Sequence, residues 1–219
     1  MNDQSTPKDA AVVSERIISD VETLKALSDP VRLRILETMV TASDEAWTVK
    51  RLAAALGVGP TKLYHHVNVL EEHDFIRVAG TRVVSGIIET SYRIAQLNVR
   101  LDRRLLSGAD AETASSVHEV LAVIFDSVRD EIEAALRTGL IQATETDPLR
   151  ELMIRGLTNL TPERVAELRE RLRALIEEFD TYGADVDKGR AAPFGYLIAL
   201  YPFAPGTTST DPDREPTDD

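Results

Sequence analysis

The chain has 219 residues, of which 43% are apolar, enough for one large domain or two small ones around a packed core. It has no cysteine, which excludes disulfides and thiolate metal sites. No apolar run reaches membrane-spanning length, and the polar stretch Met1 to Asp9 does not read as a signal peptide, so a soluble cytoplasmic protein is expected. The net charge of −12 speaks at first against nucleic acid, but residues 105–219 hold 23 Asp+Glu against 11 Lys+Arg, whereas residues 48–104 hold 9 Lys+Arg against 5 Asp+Glu.

Residues 1–13 read as a disordered lead. Ser14 to Leu27 has helical spacing, with Ile17, Ile18, Val21 and Leu24 on one side. Ser28 and Asp29 are N-cap residues and Pro30 suits a first helical position. The next helix therefore runs from there to about Val40, with Val31, Ile35, Leu36 and Met39 inward. Thr41 to Ala46 is a loop, and Trp47 is expected beneath a helix from Val49 to Leu56 that Gly57 ends. Val58-Gly59-Pro60 turns the chain into a second helix, Thr61 to Glu72. Placing Leu63, Val67 and Leu70 inward puts Thr61, His65 and Asn68 on the opposite face, flanked by Lys62 and Tyr64. Phe75 to Val83 and Ile87 to Ile94 are β-rich and meet at Val84-Ser85-Gly86, predicting a hairpin with Arg82 close to its tip.

Gly108 marks an expected domain boundary. Ala111 to Leu136 reads as one long helix packing along Val117, Leu121, Ile124, Val128, Glu131 and Ala135. Leu149 to Leu157 is a candidate strand. Thr161-Pro162-Glu163 opens a further helix, with Val165, Leu168, Leu172, Leu175, Ile176 and Phe179 as its buried stripe. Phe194 to Phe203 is a second candidate strand, and from Pro205 the composition is that of an acidic disordered tail.

The expected fold is mainly α with small β. A winged helix-turn-helix occupies residues 14–107, and a C-terminal α+β domain, helical and serving dimerisation or ligand sensing, occupies residues 108–204. The tail is residues 205–219. Such a unit presents the polar face of its second helix to a DNA major groove. Thr61, Lys62, Tyr64, His65 and Asn68 form the candidate recognition surface. Asn bonds adenine in a bidentate way, Thr contacts a base edge or the thymine methyl, and Lys62 and Tyr64 suit phosphates. The plain alternative is a solvated helix face. Arg77, Arg82 and Arg93 on the hairpin suit phosphates or the minor groove, or simply keep it soluble.

Leu27-Ser28-Asp29-Pro30-Val31-Arg32-Leu33-Arg34-Ile35-Leu36, with Leu52-Ala53, Tyr64-His65-His66-Val67 and Val69-Leu70-Glu71, resembles the ArsR-type transcriptional regulators. The resemblance covers about residues 15–95. It implies a homodimeric winged-helix repressor that binds an operator in double-stranded DNA and leaves it when a ligand binds. Metal-sensing members carry a Cys-x-Cys box where this chain has Trp47-Thr48-Val49-Lys50-Arg51-Leu52, so sensing through that box is ruled out. The roughly hundred further residues suggest another input or a larger dimer interface.

The four histidines, His65, His66, His73 and His118, do not form a metal set: His66 and His73 stand seven apart on a helix, roughly 10 Å. His66 is expected packed or hydrogen-bonded at the core edge. Phe179, Tyr182, Phe194, Tyr196, Tyr201 and Phe203 gather six of the eleven Phe, Trp and Tyr residues. They read first as C-terminal core and second as the lining of a pocket for a small organic ligand. No catalytic constellation or phosphate loop appears, so no enzyme and no cofactor are expected. The rival to a DNA-binding regulator is a protein-interaction module that uses the winged helix as a scaffold and the acidic half for its partner.

Overall fold

The computed structural model describes residues 12–107, 110–140, 156–182 and 194–202. Strand β1 (Val13–Ile18) comes first, then helices α1 (Val21–Lys25) and α2 (Pro30–Val40). The helix expected over Ser14 to Leu27 is thus half strand. Val13, Ile17 and Ile18 are β-branched, and the Asp20 carboxylate accepts the Thr23 amide at 2.7 Å, which fixes the helix start after it. That amide also holds the Asp20 carboxyl below its usual range.

Asp29 caps α2 as its sequence position implies, accepting from the amides of Val31 (2.8 Å) and Arg32 (3.1 Å). Replacing Asp29 by Ala is expected to lower stability by about 1 kcal/mol, while Asn, which still accepts, retains most of it. Urea melts of the two variants check this, and equal losses would contradict the cap.

After β2 (Trp47–Thr48) come α3 (Val49–Leu56) and α4 (Pro60–Glu72), then β3 (Ile76–Val84), β4 (Ile87–Ile94) and β5 (Gln96–Leu101). The antiparallel sheet has the order β2-β4-β3, and β1 pairs in parallel with β5. Strand β5 has no counterpart among the predicted elements. Its partner is the N-terminal segment, read from sequence as helical, so nothing local announced the pairing. The core gathers Leu24, Ile35, Leu52, Leu63, Val67 and Leu70, all 0% exposed, with Met39, Trp47, Phe75 and Tyr92 around them.

Helix α5 (Arg103–Leu106) leads to α6 (Ala111–Thr138), capped by Asp110 through the Thr113 amide and ended by Gly139 at φ +70°. The buried positions of α6 are Thr113, Ser116 and Val120, with Val117 and Ile124 partly covered. The face is thus rotated from the predicted seam, and Leu121 and Phe125 stay exposed. It is rotated because α6 packs on α1, α2 and α5, placing Ser127 against Glu37 of α2 at 2.9 Å. For the same reason α6 packs with the N-terminal elements, and the two compact units are residues 1–156 and 157–219.

Burial between α2 and α6 pushes the Glu37 carboxyl above its ordinary 4.5, Glu131 adds to the rise, and Ser127 and Arg34 oppose it. The folded chain therefore holds this proton more tightly than the unfolded one. The stability linked to it is full below pH 4.5 and is lost as pH rises through the raised folded value. Replacing Glu37 by Gln is expected to flatten the stability profile between those values and to leave stability at pH 7 equal or higher. A steeper profile in the variant, read by denaturant titration across that range, would contradict it.

The second unit contains α7 (Pro162–Tyr182), started as expected at Thr161, whose hydroxyl accepts the Arg164 amide at 3.4 Å. Its apolar stripe is not buried: Leu168, Leu175 and Phe179 are exposed. Residues 194–202 form no strand, because no described backbone pairs with them. The β part of the expected C-terminal α+β domain is therefore absent among the described residues. The Leu149 to Leu157 strand and Phe203 fall largely or wholly outside the described residues.

Candidate nucleic-acid interface

Two helices and a short turn set the geometry. Thr48 caps α3 through the Arg51 amide at 3.2 Å. Gly57 ends it at φ +67°, a conformation a side chain rarely adopts, so the chain reverses there at little cost. Gly59 then precedes Pro60 at the start of α4, which has no side-chain cap and no acidic residue in its first turn. Pro60 brings no amide N–H there, and the Lys62 amide donates to Gly59 O at 3.1 Å.

Along α4, Leu63, Val67 and Leu70 are fully buried, which orients the helix as a rigid body on the core. Thr61, Lys62, Tyr64, His65 and Asn68 are all exposed, so the structure brings the five predicted residues onto one outward surface. Tyr64, 56% exposed, also borders a cavity of about 100 Å³ with Lys50, Ile88 and Tyr92. It thus bridges α4 and the wing. Lys50, at the start of α3, joins this surface although sequence reasoning did not select it. Its place one residue inside α3 carries no signal of this, and only the fold brings it beside Tyr64.

His66 sits at the core edge with Nδ1 3.5 Å from Asp29 Oδ1, beside the capped end of α2. That nitrogen has no hydrogen-bond partner among the described residues. No group of His, Asp or Glu suited to a metal ion occurs among the described residues.

The hairpin of β3 and β4 turns at Ser85 (φ +51°) and Gly86 (φ +80°), with Val84 paired to Ile87. Two left-handed residues in a two-residue loop match the twist of the strands. Ile76, Val78, Tyr92 and Ile94 face the core, so Arg77 and Arg93, paired across the strands, lie on the other face. Beyond a bulge at Val78/Gly80, Arg82 pairs with Glu89 on that same face, the two side chains 2.5 Å apart. The three arginines therefore share the sheet face opposite Tyr92 and Ile94. Arg77 lines an open cleft with Arg16, Glu15 and Asp74 beside β1. The tip itself is apolar: Val83, Ile87 and Ile88 are 73%, 71% and 70% exposed.

The aromatic cluster does not form an enclosed pocket among the described residues. Phe179, Phe194, Tyr196 and Tyr201 are 65%, 62%, 56% and 62% exposed. The Tyr182 side chain and Phe203 lie outside what the structure describes.

A family model described as a helix-turn-helix domain matches residues 27–79, which hold α2, α3, α4 and the start of β3. No curated protein matches this chain. Residues 27–79 thus form a helix-turn-helix domain of the kind found in DNA-binding regulators. Among the described residues no helix is long and apolar enough to cross a membrane.

Proposed function

We propose that the chain is a homodimeric, sequence-specific DNA-binding repressor of ArsR-like type working in the cytoplasm, without a thiolate metal input and without catalytic activity. The observation that carries this is the outward face of α4, where Thr61, Lys62, His65 and Asn68 stand over a fully buried Leu63-Val67-Leu70 underside. A helix held that rigidly can enter a major groove without losing its packing. The apolar tip of the wing suits the walls or base steps of a minor groove better than a phosphate.

Two copies would bind successive major grooves on one face of the duplex, selecting half-sites about 34–36 Å apart. The exposure of Leu121, Phe125 and Leu136 on α6 supports association of two copies. An organic effector would release DNA only by binding the two arrangements of heads unequally. A thermal-shift screen of small metabolites, followed by DNA titration, reads this directly.

Fluorescence anisotropy on duplexes from the upstream region of the gene, at two salt concentrations and against scrambled competitor, tests the main reading. Binding that survives the competitor and weakens with salt is expected. Binding no better than scrambled DNA at either salt would move the reading to a protein-interaction module built on the winged helix and the acidic half.

A further inference from the structure

The apolar stripe of α7 repeats in steps of three and four: Val165, Leu168, Leu172, Leu175 and Phe179. That is the spacing of the a and d positions of a two-stranded coiled coil. Among the described residues Leu168 and Leu175 are 37% and 50% exposed and Val165 and Leu172 only half-buried, so the stripe keeps apolar surface open to a further partner. The rest of the helix is strongly charged and laced by its own ion pairs, such as Glu167 with Arg164 and Arg171, so it is soluble on every other side.

The charges beside the stripe choose the partner. With Val165 at an a position, Arg164, Arg171 and Glu178 fall at g, and Arg169 and Ile176 at e. In a parallel pair, g faces e of the next heptad on the other helix, setting Arg164 against Arg169 and Arg171 against Ile176. That arrangement is repulsive at one contact and idle at the other. In an antiparallel pair g faces g, setting Arg171 of each helix against Glu178 of the other, twice by symmetry. The same alignment seats Leu172 opposite Leu175 on both sides of a two-fold axis. A surface that complements itself under a two-fold axis is what a homodimer needs.

We propose that α7 is a self-pairing surface and that its occupant is α7 of a second copy of this chain, antiparallel, with Arg171–Glu178 contacts fixing the register. This deepens the dimer of the preceding reading by naming a place where two copies meet. It stands or falls on an experiment without DNA, so its failure is separable from failure of operator binding.

The experiment is sedimentation velocity of the full chain over a range of concentrations, with helix content followed by circular dichroism. Arg171→Glu alone and Glu178→Arg alone each replace two attractions by two repulsions, and each is expected to weaken self-association about tenfold or more at unchanged helix content. The double variant, and an equimolar mixture of the two single variants, restore opposite charges and are expected to recover most of the loss. If both single variants associate as the natural chain does, α7 is covered by something else, such as residues 194–202, and the proposal is overturned. If the single variants weaken association but neither the double variant nor the mixture recovers it, the antiparallel register is overturned.

Discussion

Changing Lys62 and His65 together to alanine is expected to weaken operator binding by roughly 10- to 100-fold, a combined loss of about 1.4–2.8 kcal/mol for the two contacts. Both side chains are exposed on α4 while its underside is fully buried, so the melting temperature of the variant should hardly move. The two losses differ in kind. Loss of the Lys62 charge removes a phosphate contact, which weakens all sequences alike and lowers the salt slope by about one. Asn68→Ala, by contrast, should relax the choice of base at one position and leave the slope alone. Affinity and salt slope both unchanged in the Lys62/His65 variant would remove this face from the interface.

Phe75→Ala is expected to cost about 3–5 kcal/mol, a large part of the roughly 5–15 kcal/mol that holds a domain together. Phe75 is fully buried where α4 passes into β3. Its amide donates to Leu70 O at 2.8 Å, and its carbonyl accepts from the Ala95 amide at 3.0 Å and from Gln96 Nε2 at 3.2 Å. The Arg16 guanidinium of β1 lies over its ring, 5.1 Å from the centroid. Removing the ring leaves a cavity beneath α4, the wing and the β1–β5 pair at once. The cooperative unfolding midpoint in urea should fall accordingly, and DNA binding should fail at temperatures where the natural chain still binds. A loss below about 1 kcal/mol would show that the site collapses around the gap and that the ring is not a keystone.

Helix α4 was legible because its periodicity is local. Leu63, Val67 and Leu70 recur at helical spacing, and the exposed residues followed from that spacing alone. The caps at Asp29 and Gly57 and the turn at Ser85-Gly86 were legible for the same reason, since each is a short-range choice of backbone angle or hydrogen bond. The family resemblance pointed to the stretch that the helix-turn-helix family model matches.

What lay beyond the sequence depended on a partner far along the chain. Strand β1 exists because β5, some eighty residues later, offers it an edge, and alone Ser14 to Leu27 satisfies a helical pattern equally well. The rotation of α6 was decided by which of its faces met α2, with Ser127 reaching Glu37 90 positions away. The wing arginines were visible as residues, but the bulge at Val78/Gly80 and the pairing of Arg82 with Glu89 settled where they point. The stripe of α7 was read correctly as a repeat and wrongly as buried, because amphipathic spacing says that a face wants covering without saying by what. Sequence thus determined the elements whose hydrogen bonds and apolar periods close within a few residues. Tertiary structure decided the pairing and burial of the rest, because those free energies arise only when distant segments meet.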